Sequence, residues 1–317
     1  MKFDEIVLWS KEIIQDFVSK NPNWIVIIRW ATATGKSRLS VELSEFFDME
    51  VISSDSRQIF RKMDIGTDKI SAEIRAKIPH HQIDIVDPDQ TYTAGEWKDD
   101  VDKKVDNILS RWKFPFIVWW TGLYIDTIYK NFSMPECAPD YALRDELEKK
   151  EAEDPWYVHR ELSKIDPEEA AKLHPNSTRY IIRALEIYYK TWKTKTEGYI
   201  QQPVRHPLLM LWLWRDKEST NQLINARIKE MFKAWLVDEV DWLLKEWYSP
   251  SLQSMQGIWY KEVVKYLQWE YNYEKMEELL KRDTHHLAKK QRTWFRRYIA
   301  EGIQTPKAWV TYKVRDL

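Results

Sequence analysis

The chain has 317 residues, 44% apolar and 31% charged, enough to bury a sizeable core and too apolar for a disordered polymer. A formal net charge of −1 excludes a global basic field, so any contact with nucleic acid needs a local basic face. The single cysteine, Cys137, excludes an internal disulfide and a multi-cysteine metal centre, and no apolar run approaches the roughly 18 residues of a membrane span.

Asp4, Glu5, Lys11 and Glu12 interrupt the N-terminal apolar residues, so the expectation is a soluble, cytoplasmic chain with no membrane contact, acting as a monomer. Residues 1–23 predict a leading helix on Phe3, Ile6, Val7, Ile13, Ile14 and Phe17, closed by Asn21-Pro22-Asn23. Trp24 to Ile28 reads as a strand buried on both faces, and Leu39, Leu43, Phe46 and Phe47 then recur at helical spacing. Val51-Ile52 starts the next strand, which makes a βαβ unit. Further strands are expected at 116–118 and 208–211. Residues 133–200 are charged and helix-patterned and predict a helical insertion; from Asn221 to the end the pattern predicts helices again. The predicted fold is α/β: a parallel-sheet core over 24–132 and 201–317 with C-terminal helices, and a helical insertion at 133–200.

Trp30-Ala31-Thr32-Ala33-Thr34-Gly35-Lys36-Ser37 falls between strand and helix, where a phosphate loop of pattern G-x-x-x-x-G-K-[ST] belongs; seven of its eight positions fit. Amides of Thr32, Ala33, Thr34 and Gly35 can cradle a diphosphate, Lys36 adds a point charge, and the Ser37 hydroxyl can ligate Mg²⁺. After the second strand comes Ser53-Ser54-Asp55-Ser56-Arg57-Gln58, at the crevice side of an open sheet. Asp55 there is either a general base or metal partner, or the cap of a following helix.

Several segments in order resemble the tRNA dimethylallyltransferase family: 32–37, Asp55 to Gln58, Met63 to Thr67, Pro79-His80-His81, Thr121 to Tyr124, Ile182 to Glu186, Met255-Gln256-Gly257-Ile258 and Gln291 to Arg296. The resemblance implies a P-loop NTPase-like core and transfer of a dimethylallyl group from dimethylallyl diphosphate to N6 of adenosine-37 in the tRNA anticodon stem-loop, with Mg²⁺. It further implies Asp55 as the base, with Thr121 and Arg227 as partners of the diphosphate or the base pocket. Contacts to tRNA would come from Ser56, Arg57, Gln58, Arg179, Arg183, Gln256, Gly257, Arg292, Trp294 and Arg296. Arg61 and Lys69 are expected near the crevice, and His80-His81 in a structural role. Two other readings stay open: a tRNA-binding protein without catalysis, and prenylation of free adenine nucleotides.

Composition disagrees with this pattern in one respect. About 7% glycine would give roughly 22, yet the chain has 7 glycines and 18 tryptophans. Trp30, Trp112, Trp119, Trp120, Trp192, Trp212, Trp235, Trp247, Trp259 and Trp269 stand where the resembled family carries glycine. The counts and positions predict UGA codons that the cell reads as glycine. Trp97, Trp214 and Trp294 are expected to be genuine, while Trp9, Trp24, Trp156, Trp242 and Trp309 are left undecided.

Overall fold

The computed structural model describes residues 3–29, 36–118, 121–135, 137–213, 216–299, 304–307 and 310–315. Seven strands form one sheet: β1 (Ile25–Arg29), β2 (Met49–Ser53), β3 (His80–His81), β4 (Phe114–Val118), β5 (Leu208–Leu213), β6 (Gln304–Lys307) and β7 (Val310–Arg315). Their order is β3-β2-β4-β1-β5-β7-β6. The first five run parallel, in the register Val26 against Phe116, Val51 against Phe116 and Ile27 against Met210. β1 and β2 are buried at every position; β1 accordingly reads as the apolar run Ile25 to Ile28, whereas β2 also buries Glu50 and Ser53 beside its apolar Met49, Val51 and Ile52.

One face of the sheet packs beneath the leading helix Phe3–Lys20 and the helix Lys36–Ser44. Ile6, Ile14, Phe17, Leu39 and Leu43 close over Val26, Ile28, Val51 and Phe116 in one apolar cluster. The helix Ala94–Ser110 contacts β4 and buries Trp97, Val101, Val105 and Ile108. Its start is fixed by a capping box, in which Thr93 accepts from the Glu96 amide and Glu96 accepts from the Thr93 amide.

The chain end departs from expectation. Helix is predicted from Asn221 onward, but after the long helix Tyr273–Ile299 the backbone forms the antiparallel pair β6–β7. β7 runs beside β5 from Leu208 against Arg315 to Leu213 against Val310. Val310, Thr311, Tyr312 and Val314 are good strand formers, and the parallel edge of β5 supplies the hydrogen-bond partners they need.

Two compact units divide the chain, residues 1–129 with 205–317, and residues 130–204. The expected insertion at 133–200 lies inside the second unit. That unit is helical, and Leu147, Val158, Leu162, Ile181, Ile182 and Leu185 form its own core. At its polar centre Glu186 is fully buried, and its carboxylate accepts the Asp140 amide at 2.6 Å and the Arg144 fork at 2.8 Å for each nitrogen. Burial pushes its pKa up, but Arg144, the Asp140 amide and Arg183 outweigh that and hold it below the ordinary carboxylate value.

Candidate active site

β2 ends directly in Ser54-Asp55-Ser56, so Asp55 emerges at the carboxyl edge of the parallel strands, where open α/β sheets place their ligands. A cavity of about 320 Å³ opens there, entirely within the sheet-containing unit, with Asp55, Thr67, Thr121, Arg227, Gln256 and Gln291 among its walls. It brings together Asp55, Ser56, Arg57, Gln58, Thr121, Arg227, Gln256 and Gly257, eight residues singled out from the sequence.

No helix follows Asp55. Residues 56–59 form a turn, and Asp55 Oδ1 accepts the Arg57 amide at 2.8 Å. The residue therefore shapes a turn at the cavity wall and caps no following helix. Thr121 Oγ1 accepts the Ser56 amide at 2.9 Å and ties this turn to the segment after β4. Beneath it, the Trp97 indole donates to the Ser53 carbonyl at 3.2 Å and stacks on Tyr124 with 4.4 Å between centroids. Burial, and then the negative charge of Asp55, raise the Tyr124 pKa, so its phenol stays protonated.

Gln58 is buried, and its amide works within the protein. Oε1 accepts the Ser53 hydroxyl at 3.2 Å, while Nε2 donates to the carbonyls of Thr67 and Asp68 at 3.2 and 3.1 Å. Expected as an RNA contact, this side chain holds two walls of the cavity together. Arg57 Nη1 donates to the Gln253 carbonyl at 2.6 Å, and Gln256 Nε2 to the Pro250 carbonyl at 2.7 Å. Across the cavity, Arg227 pairs with Asp68 at 2.9 Å, and its Nε finds no hydrogen-bond partner although buried. That arrangement is suited to an anion.

Sequence reading missed Glu239, which lies in the helix Leu236–Lys245. Its Oε2 accepts the amides of Asp64 and Ile65, each at 2.8 Å, and its Oε1 accepts the Gly66 amide at 3.1 Å and the Tyr260 hydroxyl at 2.7 Å. Gly66 is required by this closeness, since a Cβ there would come within 2.6 Å of the Tyr260 ring. Glu239 stands at least 173 positions from the amides it binds, so no local pattern could reveal it.

Other expectations fall elsewhere. Thr32, Ala33, Thr34 and Gly35 lie outside the described residues; Lys36 and Ser37 open the helix Lys36–Ser44, but their side chains lie outside them too. Lys69 does not line the crevice: it is buried against Phe60 O, Asp64 and Asp84 at 2.5, 2.7 and 2.6 Å, where an ammonium is fully engaged. Arg61 likewise turns to the Ile85 carbonyl at 2.6 Å and to Asp87. Arg183 joins the Glu186 cluster and donates to the Cys137 carbonyl at 2.8 Å, whereas Arg179 is exposed.

Trp294 packs on Gly122, where a Cβ would come within 2.8 Å of the indole, so this ring helps to seat the long C-terminal helix. Arg292 Nη1 is buried without a hydrogen-bond partner. The side chain of Arg296 lies outside the described residues. His80 and His81 form β3, and His81 Nε2 meets Glu50 at 2.8 Å, a structural contact. Among the described residues no group of His, Cys, Asp and Glu could hold a metal ion, and no helix is long and apolar enough to cross a membrane.

The family described as IPP transferase matches residues 58–298. A tRNA dimethylallyltransferase of Pelotomaculum thermopropionicum is 42% identical over 276 residues, covering 86% of this chain and 88% of the relative. One from Thermotoga neapolitana is also 42% identical, over 86% of this chain and 90% of its own length. Among solved structures, the full-length tRNA isopentenylpyrophosphate transferase of Bacillus halodurans superimposes with a TM-score of 0.63 at 37% identity, covering 86% of this chain and 87% of that one. A eukaryotic dimethylallyltransferase acting on tRNA gives 0.70 at 29% identity, covering 86% and 69%.

Proposed function

The chain belongs to the IPP transferase family, and from that premise we propose that it is a tRNA dimethylallyltransferase whose Asp55 cavity receives the adenine that is prenylated. The acceptor is N6 of adenosine-37 in the anticodon stem-loop, and the donor is dimethylallyl diphosphate. The new bond joins N6 to C1 of the prenyl group, the C1–O bond breaks, and diphosphate leaves. Asp55 takes the N6 proton as the bond forms. The Arg57 amide and the Thr121-anchored turn hold its carboxylate toward the cavity.

The leaving diphosphate gathers charge, and fixed cations are the main source of rate there. Arg227 faces that charge across the cavity, and Lys36 stands at the N-terminal end of its helix, where amides and helix dipole favour anions. Ser37, the second residue of that helix, would be the protein's ligand to Mg²⁺. To reach Asp55 the adenine must leave its stack. Exposed Arg179 and the face of the C-terminal helix bearing Arg292 supply phosphate contacts for the RNA.

The observation that carries this reading is the convergence of Asp55, Thr121 and Arg227, distant in sequence, on one cavity in a chain of this family. A tRNA-binding protein without catalysis, or a prenyltransferase of free nucleotides, is not favoured by relatives that carry the name tRNA dimethylallyltransferase, such as those of Pelotomaculum thermopropionicum and Thermotoga neapolitana. Asp55→Asn is expected to lower turnover by a factor on the order of 10² or more while tRNA affinity holds. Single-turnover prenyl transfer together with filter binding reads both quantities; undiminished turnover removes Asp55 from the role of base.

A further inference from the structure

Among the described residues, two groups of tryptophans differ in backbone and surroundings. Trp112, Trp156, Trp192, Trp235, Trp247 and Trp269 all have φ between 56° and 71°, the left-handed region that a bulky side chain avoids. Three of them end helices in one way. The Trp112 amide reaches the Leu109 carbonyl at 3.0 Å while the next amide, Lys113, reaches Ile108 O at 3.2 Å. Trp247 and Tyr248 repeat this onto Leu244 and Leu243, and Trp269 and Glu270 onto Tyr266 and Lys265.

That crossed pair is the Schellman motif, whose left-handed position belongs to glycine because a Cβ is penalised there. The indoles at those three positions are 91%, 94% and 92% exposed, so no packing offsets the strain. By contrast, Trp97 is fully buried, donates to Ser53 O and stacks on Tyr124, while Trp24 is buried and stacks on Phe114 at 4.6 Å.

We infer that the cellular protein carries glycine at positions 112, 156, 192, 235, 247 and 269, encoded by UGA that its source reads as glycine, and tryptophan encoded by UGG at positions 24 and 97. The geometry adds position 156 to those suspected from the sequence. Positions 30, 119 and 120 follow by the same codon; this extension rests on the resemblance that puts glycine at all three and, for position 30, on the reading of 30–37 as a diphosphate loop.

Tryptic peptides 234–245, 266–275 and 78–98 of protein isolated from its own cells test the assignment without any activity assay. Glycine masses at positions 235 and 269, with an intact indole at 97, are expected. An indole mass at 235 or 269, or UGG codons at 112, 247 and 269, overturns the inference and leaves the enzymatic reading untouched.

Different atoms carry a second proposal. Three successive amides, Asp64, Ile65 and Gly66, converge on the Glu239 carboxylate together with the Tyr260 hydroxyl. The segment they hold continues into Thr67 and Asp68, whose carbonyls receive Gln58 and whose carboxylate pairs with Arg227. The structure assigns Glu239 as a positioning residue that sets the Asp55 wall and the Arg227 wall at once, and this rests on the cavity being the prenylation site.

In Glu239→Gln the amide NH₂ confronts amide donors, and a displacement near 1 Å in the walls costs on the order of 10- to 100-fold in kcat. The expected split is a fall in kcat of that size with KM for tRNA nearly unchanged, alongside a modestly lowered melting temperature from the unpaired amide donors. Tyr260→Phe, which removes one of the four donors, is expected to fall in between. Unchanged kcat in both variants overturns the role; absence of prenyl transfer by the unmutated enzyme instead strikes the functional reading.

Discussion

At the residue scale, chemistry was legible where it is local. Asp55 follows a strand and precedes a turn, and both facts are written in adjacent residues. Gln58 and Trp294 show where that legibility stops, because a polar amide or an aromatic ring looks the same in sequence whether it meets RNA or a neighbouring wall; the contacts of Gln58 with the carbonyls of Thr67 and Asp68, and of Trp294 with the bare face of Gly122, come from the fold. Glu50 makes a testable case of a buried charge. The Arg111 guanidinium grips it bidentately at 2.5 and 2.8 Å, and this pair, aided by His81, lowers its pKa from 4.5 to about 2 against the opposing effect of burial. A depressed carboxyl contributes stability in full above the unfolded value and loses it as pH falls through the folded one. Glu50 should therefore help hold the fold above pH 4.5 and progressively less toward pH 2. Glu50→Gln is expected to destabilise the fold near neutrality, by less than a fully buried pair would because the Arg111 side chain is 41% exposed and water takes up part of its charge, and to flatten the acid limb of the stability curve; denaturant melts across that range measure both.

Among elements, the parallel strands were readable because burial on both faces demands continuous apolar residues, as in Ile25 to Ile28. The terminal hairpin was not, since Gln304–Lys307 contains a proline and lacks an apolar run, and its pairing depends on an edge supplied by β5 almost a hundred residues earlier. That pairing has a measurable role. Truncation after Ile299 should expose the backbone groups of β5 along Leu208–Leu213, lower the melting temperature and promote association between chains. Thermal melts with light scattering at two concentrations follow both effects, and a truncated chain that melts like the full one would show that the hairpin does not guard the edge.

For the whole molecule, the division into a sheet-bearing unit and a helical unit at 130–204 follows from where strand-like runs stop and resume, and that signal is present in the sequence. What the sequence could not supply is which segments far apart in the chain become partners. β1 lies between β4 and β5, so the first strand made is completed on one side only after residue 208 exists, whereas residues 130–204 have their own apolar centre from nearby helices. On the ribosome the order is then inverted relative to sequence. The later-made middle of the polypeptide can mature while the earlier-made part of the sheet still waits for its flank, leaving β1 and its apolar neighbours in need of shielding until the final third emerges.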